Sequence, residues 1–165
     1  MILTKSEILK EVKSKRVVIS GFNTKNVGPG SVDLTLDNKF RVFKTGVAST
    51  SENCDYKKLT RLVKKDKIIL YPGQFILGIT KEKVSLPDDI CGWLTGRSRF
   101  ARLGLQVHST AAFLQPGISN HQVLELYNLS CNPLELRKGS MVCQLVLERC
   151  EGKAKYSGKF KSQTL

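Results

Sequence analysis

Short apolar runs broken by turn residues recur along this sequence and constrain its fold more than any other feature. Residues 68–71 and 75–79 flank a Pro-Gly pair, and further apolar runs cover residues 123–129 and 141–147. Runs of this length, rich in β-branched residues and bounded by glycine or proline, are typical of strands joined by turns. Frequent short strands favour an all-β domain, either a barrel or a jelly roll.

One helix is predicted before the strands. Thr4 and Glu7 have the spacing of an N-terminal capping box, and Ile8 and Val12 follow at helical spacing. We therefore predict a short amphipathic helix over about residues 5–14.

The length of 165 residues predicts a single domain over residues 1–165, and a hydrophobic content of 41% is ordinary for a globular protein. No apolar run reaches the length of a membrane span, and the start lacks a signal-peptide pattern, so we expect a cytoplasmic protein. Residues 45–67 are polar and predict an exposed insertion with a hairpin around residues 56–63. Residues 151–165 lack apolar periodicity and predict a flexible tail.

The cysteines do not have the spacing of a metal site. No C-x-x-C pair occurs and the chain has two histidines, so the pattern favours buried free thiols over zinc or disulfides. Zinc-dependent nucleobase deaminases carry H-x-E and P-C-x-x-C strings, and neither occurs here. Any deamination of a base would therefore be free of zinc. The cysteines are Cys54, Cys91, Cys131, Cys143 and Cys150.

The net charge of +13 favours an anionic partner. Nucleic acid and a nucleoside triphosphate are the two classes to weigh. Many of the lysines fall within residues 57–67 and 153–161, while aromatic residues make up 7% of the chain and form no stacking array. The charge therefore favours a small anionic ligand over nucleic acid.

Residues 96–126 carry the polar groups best suited to chemistry. Arginine and serine side chains near the start of this stretch offer donors that bind phosphate oxygens. Glu125 stands between Leu124 and Leu126, so in a strand its carboxylate points to the face opposite the leucines. The alternative is that the arginines are solvated and that Glu125 lies on the wet face of an edge strand.

Several motifs together resemble those of the dCTP deaminase family, the deaminating branch of the trimeric dUTPase superfamily. The matches run nearly from end to end, in the order Val27-Gly28-Pro29-Gly30-Ser31-Val32-Asp33-Leu34, Tyr71-Pro72-Gly73-Gln74-Phe75, the block 96–126, Gln144-Leu145, and finally Tyr156, Lys159, Phe160 and Gln163. The resemblance implies a distorted jelly-roll or β-barrel of the dUTPase-like (β-clip) type. It also implies a homotrimer with active sites built across subunit boundaries.

The resemblance assigns catalytic roles to residues of the central block. Glu125 matches the glutamate that takes a proton from water and returns it to the leaving amine. Ser98 matches the hydroxyl that helps to hold the water, and Arg102 the arginine that orients and balances the glutamate. Backbone groups near Ala111 are expected at the water.

Substrate contacts are implied in the same way. The backbone around Val123 and Leu124 is expected to read the pyrimidine edge. Contacts to the triphosphate are expected from both the signature and the tail, and the tail is expected to close over the nucleotide. Mg²⁺ is expected as a bridge between phosphates, and dTTP is a possible inhibitor. The expected triphosphate contacts are Arg97, Ser98, Tyr156, Lys159 and Gln163.

Three departures from the family pattern bear on the reaction. Arg99 stands where relatives have a second serine, which alters the phosphate site. Gln115 replaces the aspartate that contacts the sugar 3′-hydroxyl and supports water attack on the phosphates in dUTPases. Glutamine cannot act as a base, so we rank deamination without diphosphate release first. Asn120 lies where a glycine is usual, a milder change.

Three functions remain open. The first is a metal-independent dCTP deaminase that makes dUTP and ammonia, and the second is a dUTP diphosphatase, alone or coupled to deamination to give dUMP. The third is a catalytically weak paralogue that binds nucleotide or nucleic acid. Four further residues are given non-catalytic interpretations: Asp33 and His108 are interpreted as structural, His121 as a surface residue, and Trp93 as part of the core.

Overall fold

The computed structural model describes residues 1–51, 53–158, 160–161, 163 and 165. The described chain is mostly β, with α1 at Lys5–Lys13, a 3₁₀ helix at Thr24–Asn26, and single helical turns α2 at Tyr56–Leu59 and α3 at Ser98–Ala101. Its strands are β1 (Val18–Ile19), β2 (Val32–Leu34), β3 (Leu36–Phe43), β4 (Thr60–Lys64), β5 (Lys67–Leu70), β6 (Phe75–Ser85), β7 (Ile90–Gly96), β8 (Leu105–Gln106), β9 (Phe113–Leu114), β10 (Ser119–Asn128), β11 (Leu134–Arg137) and β12 (Cys143–Arg149).

The N-terminal helix is confirmed, but its predicted capping box is wrong. Thr4 is the N-cap residue, yet its side chain makes no capping hydrogen bond. Its hydroxyl lies 3.1 Å from that of Ser6 instead. Glu7 turns away from the helix start, because Arg149 of β12 donates a 3.2 Å hydrogen bond to its carboxylate. A long-range ion pair thus replaces the local cap.

The strands pair antiparallel in three sheets. The largest has the order β4-β3-β6-β10-β8, with β1 added to β6; a second has the order β2-β12-β7-β9; β5 and β11 form the third. The predicted all-β class is therefore confirmed, but the described strands form open sheets instead of one closed barrel. None of the helices in the described ranges is long and apolar enough to cross a membrane.

One apolar cluster joins the two larger sheets. Phe40 of β3, Ile76 of β6, Leu124 of β10 and Leu145 of β12 are completely buried in it. Side chains along β10 alternate regularly between buried and partly exposed positions. This alternation holds the functional face of the largest sheet away from the core.

The polar insertion contributes to the sheet in a way the sequence did not reveal. The expected hairpin at 56–63 is wrong, because α2 leads directly into β4, which pairs along β3 from Phe43 opposite Thr60 to Lys39 opposite Lys64. The Pro-Gly turn before β6 is present, with Gly73 at a φ of +72°. The strands on either side of it belong to different sheets, since β5 pairs with β11.

Three residue interpretations need correction. Trp93 is 46% exposed, because alternation along β7 turns it outward, where it packs against Phe113 with ring centroids 4.7 Å apart. His121 is half-buried, with Nδ1 3.1 Å from the Thr80 carbonyl oxygen. Of the free cysteines, Cys131 is exposed, since it lies in the loop between β10 and β11.

Candidate functional site

A cavity of about 470 Å³ lies on the outer face of the largest sheet. Strand β10 forms one wall, the segment 111–118 a second, and the described residues of the tail a third. Tyr56 from the insertion and Leu77 of β6 complete it. The cavity therefore collects side chains that are far apart in sequence, as nucleotide-sized sites commonly do.

Glu125 is the carboxylate of this cavity. Its neighbours Leu124 and Leu126 are completely buried, and the Glu125 side chain points to the other face, as the sequence predicts. The backbone N–H groups of Ser109 and Thr110 donate to its Oε2 atom at 2.8 and 3.1 Å. Two fixed donors hold the carboxylate in one orientation, and Oε1 accepts no hydrogen bond from the described residues.

His108 lies directly beside this carboxylate. Its side chain is 7% exposed, and Nδ1 is 3.5 Å from Oε2 of Glu125. Burial lowers the pKa of His108, although the Glu125 carboxylate and the Val123 backbone act to raise it. At 3.5 Å the contact is too long for a well-formed hydrogen bond, and Nδ1 is a buried atom without a hydrogen-bond partner in the described chain. A neutral imidazole thus borders the carboxylate.

Sequence reasoning interpreted His108 as structural and missed this contact. Strand β8 pairs with β10, with Gln106 opposite Tyr127, and this pairing carries residues 108–110 past Glu125. The pairing is non-local, so no short motif could have revealed it.

The residues expected around the base and sugar lie at this cavity. Ala111, Gln115 and Val123 line it, and Gln115 is exposed. Leu124 does not line it, because its side chain is buried in the core. Only the Leu124 backbone is available on this strand, in keeping with the expected backbone contact.

The tail crosses the cavity. Tyr156, Phe160 and Gln163 line it, and the Tyr156 N–H donates to the Pro116 carbonyl oxygen at 2.9 Å. Gln163 Nε2 donates to the His121 carbonyl oxygen at 3.3 Å. These contacts place the described tail residues against β10 and the turn before it.

One expected tail contact and one unexpected one complete this wall. Lys159 lies outside the described residues. Leu165 is buried against Leu77 and Ile79 of β6. That contact attaches the last described residue to the same sheet face as the cavity.

The arginine-rich signature lies elsewhere in the same chain. Arg97 precedes α3, Ser98 and Arg99 lie in its single turn, and Arg102 follows it; none of these four lines the cavity. Arg97 is held by Asp33, whose Oδ2 atom is 3.0 Å from Nη2, and by the Met141 carbonyl oxygen at 2.9 Å. Ser98, Arg99 and Arg102 are exposed.

The predicted site is thus divided within one chain. The carboxylate, the tail and the base-contacting strand come together, whereas the α3 residues do not join them. Among the residues that the structure describes, no group of three or more histidine, cysteine or acidic side chains is arranged to hold a metal ion.

Comparison with known proteins places the chain in a family. Residues 2–150 match the family model described as dCTP deaminase-like. A relative from Pseudarthrobacter chlorophenolicus and one from Streptomyces coelicolor are each 40% identical over 160 residues, covering 94% of this chain and 84% of the relative. Both relatives are named dCTP deaminase, dUMP-forming.

Solved structures support the fold. The crystal structure of 2′-deoxycytidine 5′-triphosphate deaminase from Agrobacterium tumefaciens superposes with a TM-score of 0.72 at 19% identity. It covers 91% of this chain, which spans about half (48%) of that longer protein. A Staphylococcus bacteriophage 80alpha dUTPase superposes with a TM-score of 0.53 at 12% identity over 87% of this chain and 96% of that one. The architecture is therefore dUTPase-like.

Proposed function

The chain belongs to the dCTP deaminase-like family, and from this membership we propose that it is a hydrolase that deaminates dCTP. The reaction adds water at C4 of the cytosine and expels ammonia, giving dUTP from dCTP. The observation that carries the proposal is the position of Glu125, whose carboxylate lies at the cavity with Oε2 fixed by two backbone N–H groups.

Glu125 is the proton shuttle in this proposal. It accepts a proton from the attacking water, so that the oxygen can bond to C4, and it returns a proton to the amino group as the C4–N bond breaks. The N–H groups of Ser109 and Thr110 keep Oε2 in place, which leaves Oε1 for the water. Fixed geometry of this kind lowers the entropy cost of the transition state.

His108 assists as a positioning residue. Its ring closes one side of the Glu125 carboxylate and keeps bulk water from it. A neutral ring adds no charge that would hold the carboxylate ionised, so a proton can move on and off.

The pyrimidine is read by the strand that carries the shuttle. The backbone of Val123 and Leu124 is two residues and one residue before Glu125, so its polar groups lie along the edge of a base whose C4 meets Glu125. Backbone groups discriminate by fixed donors and acceptors, because they have no side-chain freedom to lose.

The substrate is dCTP with Mg²⁺ on its phosphates. The structure brings Tyr156 and Gln163 to the cavity mouth, where they suit contacts with the phosphate chain, and we assign Lys159 the same role from its place in the motif. The tail over residues 151–165 would then exclude water once the nucleotide is bound.

The α3 residues are supplied by a second copy in this proposal. Ser98 and Arg102 do not line the cavity that holds Glu125 of their own chain, so the division of the site supports a trimer in which each cavity meets the α3 turn of a neighbour. Ser98 would then hold the water, Arg102 would balance Glu125, and Arg97 and Arg99 would contact the phosphates. A cyclic trimer closes such a head-to-tail contact and gives three sites.

A second candidate is release of dUMP. It is favoured by the relatives named above, which form dUMP. Against it stands Gln115, which occupies the cavity wall and cannot take a proton from water. We therefore place dUTP first as the product and dUMP second.

The test is to incubate the protein with dCTP and Mg²⁺, and separately with dUTP and Mg²⁺, and to separate the products by ion-exchange chromatography. Ammonia and dUTP from dCTP, with dUTP left intact in the second tube, is the expected result. Conversion of dUTP to dUMP would put the second candidate first. Recovery of both nucleotides unchanged would reject the proposed function.

A further inference from the structure

Two buried amide side chains at the cavity take no part in the mechanism above. Asn120 is 5% exposed and Gln122 is 4% exposed, and both line the cavity that contains Glu125. Burying an amide costs free energy unless its polar atoms are hydrogen-bonded. The partners of these atoms therefore decide what the two residues can do.

The donors of both amides are already committed. Nε2 of Gln122 donates to Oδ1 of Asn120 at 2.7 Å and to its backbone oxygen at 3.3 Å. Nδ2 of Asn120 donates to the Phe160 carbonyl oxygen at 2.8 Å. Because backbone oxygens accept at both ends, neither amide can be turned over without placing oxygen against oxygen. The Gln122 amide therefore has one orientation.

The Gln122 backbone fixes the side chain further. Its N–H donates to the Thr80 hydroxyl at 2.9 Å, and that hydroxyl donates to the Glu82 carbonyl oxygen at 2.8 Å. Oε1 of Gln122 accepts no hydrogen bond from the described residues, and it is not among their sealed, unpartnered atoms. It is thus a fixed acceptor that opens to the cavity and selects a ligand with a donor.

A molecule of dCTP offers few donors to such an acceptor. Its phosphates are ionised at neutral pH, so the N–H and O–H groups are those of the 4-amino group and the 3′-hydroxyl. The amino group must lie at Glu125, because it leaves from there. Gln122 is three residues earlier on β10, about 10 Å along an extended strand, which leaves the hydroxyl as its partner.

From these contacts we propose that Gln122 is a specificity-determining residue that accepts a hydrogen bond from the deoxyribose 3′-hydroxyl through Oε1. The inference rests on the proposed function, since it takes dCTP as the ligand. Asn120 acts through Gln122 as a positioning residue, and its bond to Phe160 ties the same pair to the tail.

The test compares two substrates in several proteins. The unsubstituted protein and Gln122→Met are assayed for kcat/KM with dCTP and with 2′,3′-dideoxycytidine triphosphate. Removal of the hydroxyl leaves a buried acceptor unpaired, so it should cost the unsubstituted protein about 10-fold. The same removal should cost Gln122→Met less than about 2-fold. An equal penalty in both proteins would overturn the inference.

Two further variants separate the acceptor from its surroundings. Gln122→Glu keeps an acceptor oxygen but cannot donate to Asn120, so it should retain the hydroxyl penalty even if total activity falls. Gln144→Met changes a glutamine outside the cavity, which contacts Ser31 and Asp33, and it should also retain the penalty. Loss of the penalty in Gln144→Met would count against the proposal.

Failure of the function and failure of the inference give different results. Deamination of dCTP by the unsubstituted protein tests the function alone. If there is no turnover, the same comparison is made by calorimetric binding of the two nucleotides, where a hydroxyl penalty confined to proteins with an acceptor at 122 still supports the inference. Turnover combined with equal penalties rejects the inference and leaves the function standing.

Discussion

Nδ1 of His108 lies 3.5 Å from Oε2 of Glu125, and the histidine side chain is 7% exposed. A buried imidazole and a carboxylate at this distance influence each other's charge, because little water separates them. The contact joins the end of the β8 segment to strand β10. It therefore links the stability of this region to the chemistry of the cavity.

Replacing Glu125 with glutamine should abolish deamination. The amide keeps the size of the side chain but cannot accept the proton of water, so kcat should fall by at least about 100-fold. Binding should change little, and calorimetric titration with dCTP should give a Kd within about 10-fold of the original value. Turnover near the original rate would show that another group is the shuttle.

Protonation of His108 should weaken the fold below neutral pH. Its pKa is lowered by burial, so the unfolded chain binds the proton first as the pH falls. Stability is then full above about pH 6.5 and declines below it. The melting temperature should drop between pH 7.5 and 5.5 more in the unsubstituted protein than in His108→Asn. The matched variant His121→Asn, at the other histidine, should keep the full drop.

A substitution at Gln115 should shift the products. Gln115→Asp places a carboxylate at the cavity wall that can accept a proton, whereas the amide cannot. We expect the share of dUMP among the products of dCTP to rise several-fold, measured by ion-exchange chromatography. Gln115→Asn, which changes length without adding a base, should leave that share unchanged. No rise in dUMP with aspartate would remove Gln115 as the reason for stopping at dUTP.

The ion-pair network behind the cavity predicts a different pH window. Arg16 and Arg149 donate to the buried Glu11 carboxylate at 2.8 and 2.7 Å, and Arg16 also holds Asp89 at 2.7 Å. Burial alone would raise the pKa of Glu11, but the two arginines outweigh it and the pKa is lowered. The hydrogen bond from Arg16 lowers the pKa of Asp89. Both carboxylates therefore stabilise the fold above about pH 4.5, and this contribution is lost below that pH.

Glu11→Gln tests this network. It should lower the free energy of unfolding by about 1–3 kcal/mol at pH 7, because it removes hydrogen bonds to a buried charge. The difference from the unsubstituted protein should shrink as the pH falls towards 3. Glu135→Gln, which affects an exposed pair with Arg137, should cost less than about 1 kcal/mol. Urea unfolding at several pH values measures both.

The sequence predicts local features well and long-range partners poorly. Helix α1 and the outward position of Glu125 follow from periodicity, because 3.6- and 2-residue repeats are properties of neighbouring residues. Glu7 shows the limit, since a strand near the other end of the chain outcompetes its predicted cap. Trp93 was placed in the core by its type alone, whereas alternation along β7 turns it outward.

The candidate site shows the same division. Motifs identify Glu125, Gln115 and the tail residues, which carry recognisable chemistry in short strings. His108 and Gln122 gain their importance from partners on other strands or across a bulge, namely Glu125 and Asn120. Such contacts depend on sheet register, which no single short segment specifies.

The division of the site between chains makes the last prediction quantitative. Glu125→Gln should inactivate the cavity half of a site, and Ser98→Ala the α3 half. If each site combines halves from two neighbours, a mixed trimer contains some sites with both halves intact. Random assembly from equal amounts gives an intact site with a probability of one half for each half-site, so about one quarter of the original activity should return. Each variant alone should stay inactive, and the mixture is made by co-expression and assayed with dCTP. A mixture as inactive as its components would place Ser98 and Glu125 of the same chain in one site, because two lesions in one chain cannot be separated by exchange of subunits.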